Sequence, residues 1–366
     1  MAAESFSNDR DWAVAPGEIL LEALEERGMS QSELARRMGR PIKTINEIVK
    51  GKAAITPDTA LQLELTLGIS ARFWNGLESM YREHLARERS NQQLETEGDW
   101  LDAFPLSDLA RYGLINREST KGATLAALLA FFGVGSTVAW EDQWLKPDVA
   151  FRASEAFESS PHAVAAWLRW GEVMAADITT KPFDAERLKN ALQDVRPLTR
   201  REPMSLIITR VKDLLAETGI ALVVAPELAG TRLSGAVHWP SSDQAIIQLS
   251  FRHKTDDHFW FSLFHEAGHV LDRTGRNFID EIDEEGSDEQ DEQNANEFAR
   301  NALISREVYA SFIRKAIFDS AAVRAFAREQ QIAPGIVVGR LQRDGLLPKS
   351  HLNDLKKSIQ WASPLA

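Results

Sequence analysis

SQSELARRMGRPIKTINEIVKG, residues 30–51, sets the first fold decision. Ser30 stands just before an apolar-periodic run, and Glu33 three residues later completes the capping-box pattern of a helix start. Leu34, Ala35 and Met38 share one helical face, with small Ala35 where two helices would cross closely. Gly39 supplies the positive φ that ends the helix. Pro41 sits near the first turn of the next helix, where a missing N–H costs little, and Ile45, Ile48 and Val49 form its core stripe. Upstream, Ile19, Leu20, Ala23 and Leu24 line one face of a further helix that Gly28 ends. A helix, a tight turn and a second helix at this spacing let the second helix lie in a major groove.

Charge bears on that reading. The chain carries a formal net charge of −12 and is no general polyanion binder, so nucleic-acid contact needs a local basic patch. Residues 36–52 provide one, with six basic residues against the single acid Glu47. Lys43 and Asn46 are placed to reach base edges, and Gln31 to hold a phosphate. Arg40, Thr44 and Lys50 complete the candidate DNA-facing set. The competing reading is a helical bundle with a merely solvated basic face. The stretch from Ser30 to Glu78, with Phe73-Trp74 part of the match, resembles the Xre/Cro family of repressors, and within it the HigA-type antitoxins. The resemblance implies a five-helix, lambda-repressor-like helix-turn-helix domain over residues 1–91, a homodimer on operator DNA, and a toxin partner. Pro41-Ile42 departs from the small polar residues more usual in that family and leaves the operator sequence open.

The remaining 275 of the 366 residues, counted after residue 91, are room for further domains. A hydrophobic fraction of 44% with 26% charged residues is globular composition. No cysteine is present, so disulfides, thiolate nucleophiles and cysteine-ligated zinc are excluded, and a transition metal must use His, Asp or Glu. The polar start has no signal-peptide pattern, and the apolar stretch Ala123–Val134 is shorter than a membrane span. The expectation is a soluble cytoplasmic protein without membrane contact. Residues 90–100 read as a linker or exposed loop, and 92–165 as a helical linker region. Ile220–Val224, Gly235–Trp239 and Ala245–Phe251 are short β-branched runs between turn residues, which predicts a small three-stranded sheet. Helical periodicity returns over 257–272 and 289–304, and a helical tail follows over 311–366 with breaks at Pro334-Gly335 and Leu346–Pro348. The fold class is mainly α with a small α+β domain.

The chemistry concentrates at His265-Glu266-Ala267-Gly268-His269, inside the apolar run from Phe259 to Leu271. Two imidazoles at i and i+4 lie one turn apart on a helix and can converge on one metal ion. Glu266, one step round the helix, stands beside the metal, placed to take a proton from water and return it to a leaving amine. Gly268 keeps the helix surface low there. The third ligand has to be chosen among the acids of Asp280–Glu292, where nine of thirteen residues are acidic, so charge alone selects none. The context Glu292-Gln293-Asn294-Ala295-Asn296, with Ala295, Phe298, Ala299 and Leu303 as a buried stripe, selects Glu292. Asn296, one turn on, is placed to orient a ligand histidine. Three protein ligands with an open fourth position form a catalytic zinc pattern.

The segments from Ser234 to Leu271 and Glu292 to Ile304 resemble the ImmA/IrrE family of metallopeptidases. The resemblance implies a gluzincin-like domain over 166–310, with His265, His269 and Glu292 binding zinc or manganese and Glu266 as general base. It implies an endopeptidase that cleaves a repressor, with strand Ala245–Leu249 as the edge on which substrate pairs. His238 and His253 are candidate oxyanion helpers against a purely structural role. Two functions stay open at this stage. One is a DNA-binding regulator whose zinc endopeptidase cuts a partner or itself. The other is a non-catalytic antitoxin and autorepressor whose metal domain serves folding or sensing.

Overall fold

The computed structural model describes residues 14–145, 160–250, 252, 254–272 and 288–359. The chain forms two compact units, one of residues up to Gly98 with Thr120–Ala126, the other of Asp99–Ser119 and everything from Ala127 on. The first unit holds five helices in succession: α1 (Pro16–Glu26), α2 (Gln31–Met38), α3 (Ile42–Val49), α4 (Pro57–Leu67) and α5 (Ala71–Thr96). Leu20, Leu24, Leu34, Met38, Ile45, Ile48, Leu63 and Trp74 form its core. Gly39 takes φ 64° and ends α2. Gly17 lets α1 lie on the end of α3, because a Cβ there would strike the carbonyl oxygens of Ile48 and Val49. Helix α5 runs through 90–96, where the sequence reads as a linker. Those residues are polar, but they contain no Gly or Pro, and polarity by itself breaks no helix.

In the second unit a three-stranded sheet has the order β1-β3-β2, with β1 (Ile220–Val224), β2 (Gly235–Ser241) and β3 (Gln244–Leu249). β3 is parallel to β1 and antiparallel to β2. It is therefore the central strand, its backbone engaged on both sides, and not the edge that the resemblance implied for Ala245–Leu249. The exposed edge beside it is β2. Ile220, Leu222, Val237, Ile247 and Leu249 face the main core, which includes Trp260, Leu263 and Phe264 of helix α12 (Asp256–Asp272). Ala221, Val223 and Ile246 face the other way, onto Met174 and Ala175 of α9 (Pro161–Ala175).

Helix α7 (Lys121–Phe132) and helix α8 (Thr137–Trp144) correct the reading of the apolar stretch. Lys121–Trp144 is long and apolar enough to cross a membrane by length and mean hydropathy, 1.7. The sequence reading stopped at Val134, but the apolar character resumes after the break. Gly133 at φ 72° and Ser136, which caps α8, split the stretch into two helices. Phe132, Trp140 and Trp144 bury into an aromatic cluster with Trp100, Phe104 and His162.

The C-terminal helices α14 (Arg306–Ile313), α15 (Ser320–Glu329) and α16 (Pro334–Arg343) share the core of α12 through Phe312, Phe326, Val337 and Leu341. Pro334 opens α16 instead of making a turn. Gly335 and Gly339 on α16 lie over two buried acids at the start of α12. A Cβ on either glycine would stand 2.6 Å from a carboxylate oxygen of Asp256 or Asp257. Asp257 pairs with Lys356 at 2.7 Å. Asp256 Oδ1 accepts from the backbone N–H of Asp257 and of Lys357, while its buried Oδ2 has no partner.

Burial pushes the Asp256 carboxyl up to about 6, despite the backbone donors that favour its charge. Between about pH 4 and 6 the folded chain binds a proton that the unfolded chain has released, so this group's contribution to stability falls as pH rises through that window. Asp256→Asn keeps the accepting oxygen and removes the charge. It is expected to be more stable than the wild type at pH 7 by about 1–3 kcal/mol, with the gap closed by about pH 4. Urea unfolding at both pH values measures this, and an equal gap at each would refute the assignment.

Candidate metal centre and nucleic-acid interface

Helix α12 buries Phe259, Trp260, Leu263, Phe264, Ala267 and Val270 and leaves Ser262, His265 and His269 on a less buried stripe. The acidic helix is α13 (Asp288–Leu303), anchored by buried Ala295, Ala299 and Leu303. Gly268 brings the two together, since a Cβ on it would meet Ala295 Cα at 3.0 Å. The result is a convergence of three side chains. His265 Nε2 and His269 Nε2 are 3.0 Å apart. Glu292 Oε2 is 3.4 Å from the first, and its Oε1 is 3.1 Å from the second.

These separations fit a metal. Ligand atoms about 2.1 Å from one ion at tetrahedral angles stand about 3.4 Å from each other. Three lone-pair atoms, one from each residue, lie within 4.8 Å of one another. Burial alone would raise the Glu292 carboxyl, but hydrogen bonds and charge from His265 and His269 outweigh it and hold the group well below the carboxylate range. Burial opposes charge on His269, yet the Glu292 carboxylate raises its pKa. The set offers two imidazole nitrogens and one carboxylate, a donor group of the kind that suits zinc.

Glu266 is only 7% exposed. Burial pushes its carboxyl up, against the lowering influence of His265 and His269. Its carboxylate lies against Gly235 at the start of β2, where any Cβ would collide with it. Gly235 is thus a site residue that the sequence reading passed over. The only sequence signal was a glycine opening a strand.

One expectation is corrected. His238 cannot serve as an oxyanion helper, because its register partner Ile246 puts it on the α9 face of the sheet, away from Gly235 and Glu266. There its Nε2 meets Glu172 Oε1 at 3.0 Å. Asn296 follows Glu292 by one turn on α13, and His265 Nδ1 is buried without a hydrogen-bond partner among the described residues. His253 lies outside the described residues.

On the first unit, Ser30 accepts from the Glu33 N–H at 3.1 Å. The reciprocal half of the capping box is missing, because the Glu33 carboxylate turns to Arg36 and Arg37. Lys43 is 83% exposed on α3, with Glu47 3.7 Å away. Lys50 is exposed at the end of α3, and Thr44, Asn46 and Gln31 are half-buried. Arg40 donates through Nε to Gln62 of α4, which anchors its guanidinium beside the α2–α3 turn. Ile42, at an outward helical position beside these residues, is 42% exposed.

Comparison with known proteins adds to the first unit. The helix-turn-helix family HTH_3 matches residues 20–74. An uncharacterized HTH-type transcriptional regulator, YddM of Escherichia coli (strain K12), is 36% identical over 66 residues, 18% of this chain and 70% of that protein. Virulence-associated protein I of Dichelobacter nodosus is 38% identical over 77 residues, 21% and 71% of the two chains. Among solved structures, an addiction module antidote protein of the HigA family from Coxiella burnetii shares 35% identity over 23% of this chain and 94% of its own, with TM-score 0.22. The Pseudomonas aeruginosa antitoxin HigA with the higBA promoter shares 36% over 23% and 94%, with TM-score 0.22.

Proposed function

Since residues 20–74 make this chain a member of the helix-turn-helix family, we propose that it is an operator-binding transcriptional regulator whose second unit carries a zinc-dependent endopeptidase centre of the ImmA/IrrE kind. The observation that carries the enzymatic half is the convergence of His265, His269 and Glu292 beside buried Glu266. A zinc ion, or manganese, held by those three residues supplies Lewis-acid polarisation of a carbonyl and acidification of water. The chain does the rest. Glu266 takes the proton of the attacking water on a carboxylate oxygen and returns it to the departing amide nitrogen. The free edge of β2 pairs with an extended substrate strand, at the end where Gly235 adjoins Glu266. The substrate is a regulatory protein, a repressor or this chain itself, and the operator-bound form is a homodimer in the cytoplasm.

The matches to known proteins concern under a quarter of this chain, which favours keeping a second reading: an antitoxin and autorepressor that binds a toxin and cuts nothing. Incubating the zinc-loaded protein with candidate repressors, followed by mass spectrometry of the repressors and of the chain, decides between them. New termini in either support the peptidase reading, and intact chains throughout support the second.

The DNA-binding half has its own test. Lys50→Ala should weaken binding to all sequences alike and reduce the salt slope of the logarithm of the binding constant by about 1. Asn46→Ala should cost about 1–3 kcal/mol on the operator and little on random DNA. Anisotropy titrations at several salt concentrations read both. Unchanged affinity in both variants would remove α3 from the interface.

A further inference from the structure

The metal centre adjoins a depression that the mechanism above leaves unused. It lies between the ends of β2 and β3 and the first half of α12. His258 and Ser262 line it, on the same helical stripe as His265 and His269, at intervals of four, three and four residues. Ser262 precedes Glu266 by one turn, about 6 Å along the helix. On the sheet side, Ser234 immediately precedes Gly235, the residue against which Glu266 packs.

Most of the lining can donate hydrogen bonds. Arg252, Lys254 and Thr255 complete it with Ser250 and the apolar Phe259, and none of the described lining residues is acidic, in a chain that has 54 acids against 42 bases. The Thr255 hydroxyl is buried without a hydrogen-bond partner. Arg252 is preset, since it donates to the carbonyl of Arg232 and stands 3.8 Å from Glu227 Oε1. Burial raises the Glu227 carboxyl, against the opposing influence of Arg252 and Lys254. Arg232 at φ 46° and Lys254 at φ 51° both hold left-handed backbone that side chains disfavour, and such strain gathers at functional sites.

We propose that this depression binds a carboxylate of the substrate chain close to the scissile bond, so that the centre prefers acidic peptides. The proposal rests on the peptidase reading for its place in catalysis, but the recognition it describes is a binding event. Two sources supply the same group, an Asp or Glu side chain and a chain end.

The test uses the full-length zinc-loaded Glu266→Gln protein and calorimetry. The probes are acetylated, amidated alanine octapeptides with one central glutamate or one central glutamine, and the glutamine peptide with a free C-terminus. The glutamate peptide should bind about fivefold more tightly than its amidated glutamine twin. That preference should vanish in Lys254→Gln and, as a second variant, in Arg252→Gln, while the glutamine peptide binds all three proteins alike. Tighter binding of the free-ended peptide instead assigns the depression to a chain end. Equal affinities for all three peptides, or no binding by any, overturn the proposal. The peptidase reading fails separately: if wild-type protein cuts no peptide while the carboxylate preference persists, the anion site stands and the hydrolase does not.

Discussion

Glu266→Gln is expected to lower peptide hydrolysis by about 10²–10⁴-fold while zinc content, folding and operator affinity stay at wild-type values. The reasoning begins with space. Glutamine matches glutamate in shape, and the carboxylate packs flat against Gly235, so an amide head of equal size fits the same slot. The substituted group is not among the three ligand side chains, whose mutual distances of 3.0, 3.1 and 3.4 Å do not involve it. Loss is confined to proton transfer, because an amide oxygen cannot take and return the proton. Burial raises the Glu266 carboxyl while the two histidines restrain that rise, and a raised carboxyl is the stronger base the proposed role calls for. Mass spectrometry of cleaved repressor, with metal analysis of the same sample, reads both quantities. A variant that still cuts at the wild-type rate would move the chemistry away from this site.

The sequence reveals the parts of this molecule that are local. Ser30, Gly39 and the Leu34–Met38 stripe define α2 within ten residues, and each does in three dimensions what its spacing predicts. The histidine pair is local in the same sense, since one helical turn fixes its geometry. Glu292 was harder to select among nine acids, and the buried Ala295 and Ala299 identify it by fixing which face of α13 turns inward. What stayed illegible depends on which neighbour arrives. Strand order is not encoded in the Ala245–Leu249 run, whose residues suit an edge or a centre equally well until β1 pairs beside it. His238 reads as a candidate from its place in the strand beside the histidine-bearing helix, yet three residues from Gly235 it lies on the opposite face. Gly17, Gly235 and Gly339 look like ordinary glycines, and each proves to be the place where another element needs the volume of a Cβ.

His269→Ala should abolish stoichiometric zinc, with affinity lower by at least about 10²-fold. Two ligands remain in that variant, and Glu292 loses the closer of its two imidazole neighbours, at 3.1 Å. The loss also appears as stability. A ligand that binds only the folded chain adds about 4 kcal/mol at a free concentration a thousandfold above its dissociation constant. Wild-type protein should therefore melt higher as zinc is added, and the variant should not respond. Acidification gives the same result through the wild type, because imidazole must be neutral to bind metal. Glu292 raises the proton affinity of His269, so protons compete with zinc there and zinc affinity should fall as the pH is lowered. Zinc retained by His269→Ala at full stoichiometry would mean that the ion sits elsewhere, and Glu266 would then have no polarised water beside it. Zinc lost together with the thermal response ties the ion to the α12–α13 contact at Gly268 and Ala295, because that close approach carries Glu292 to the two histidines.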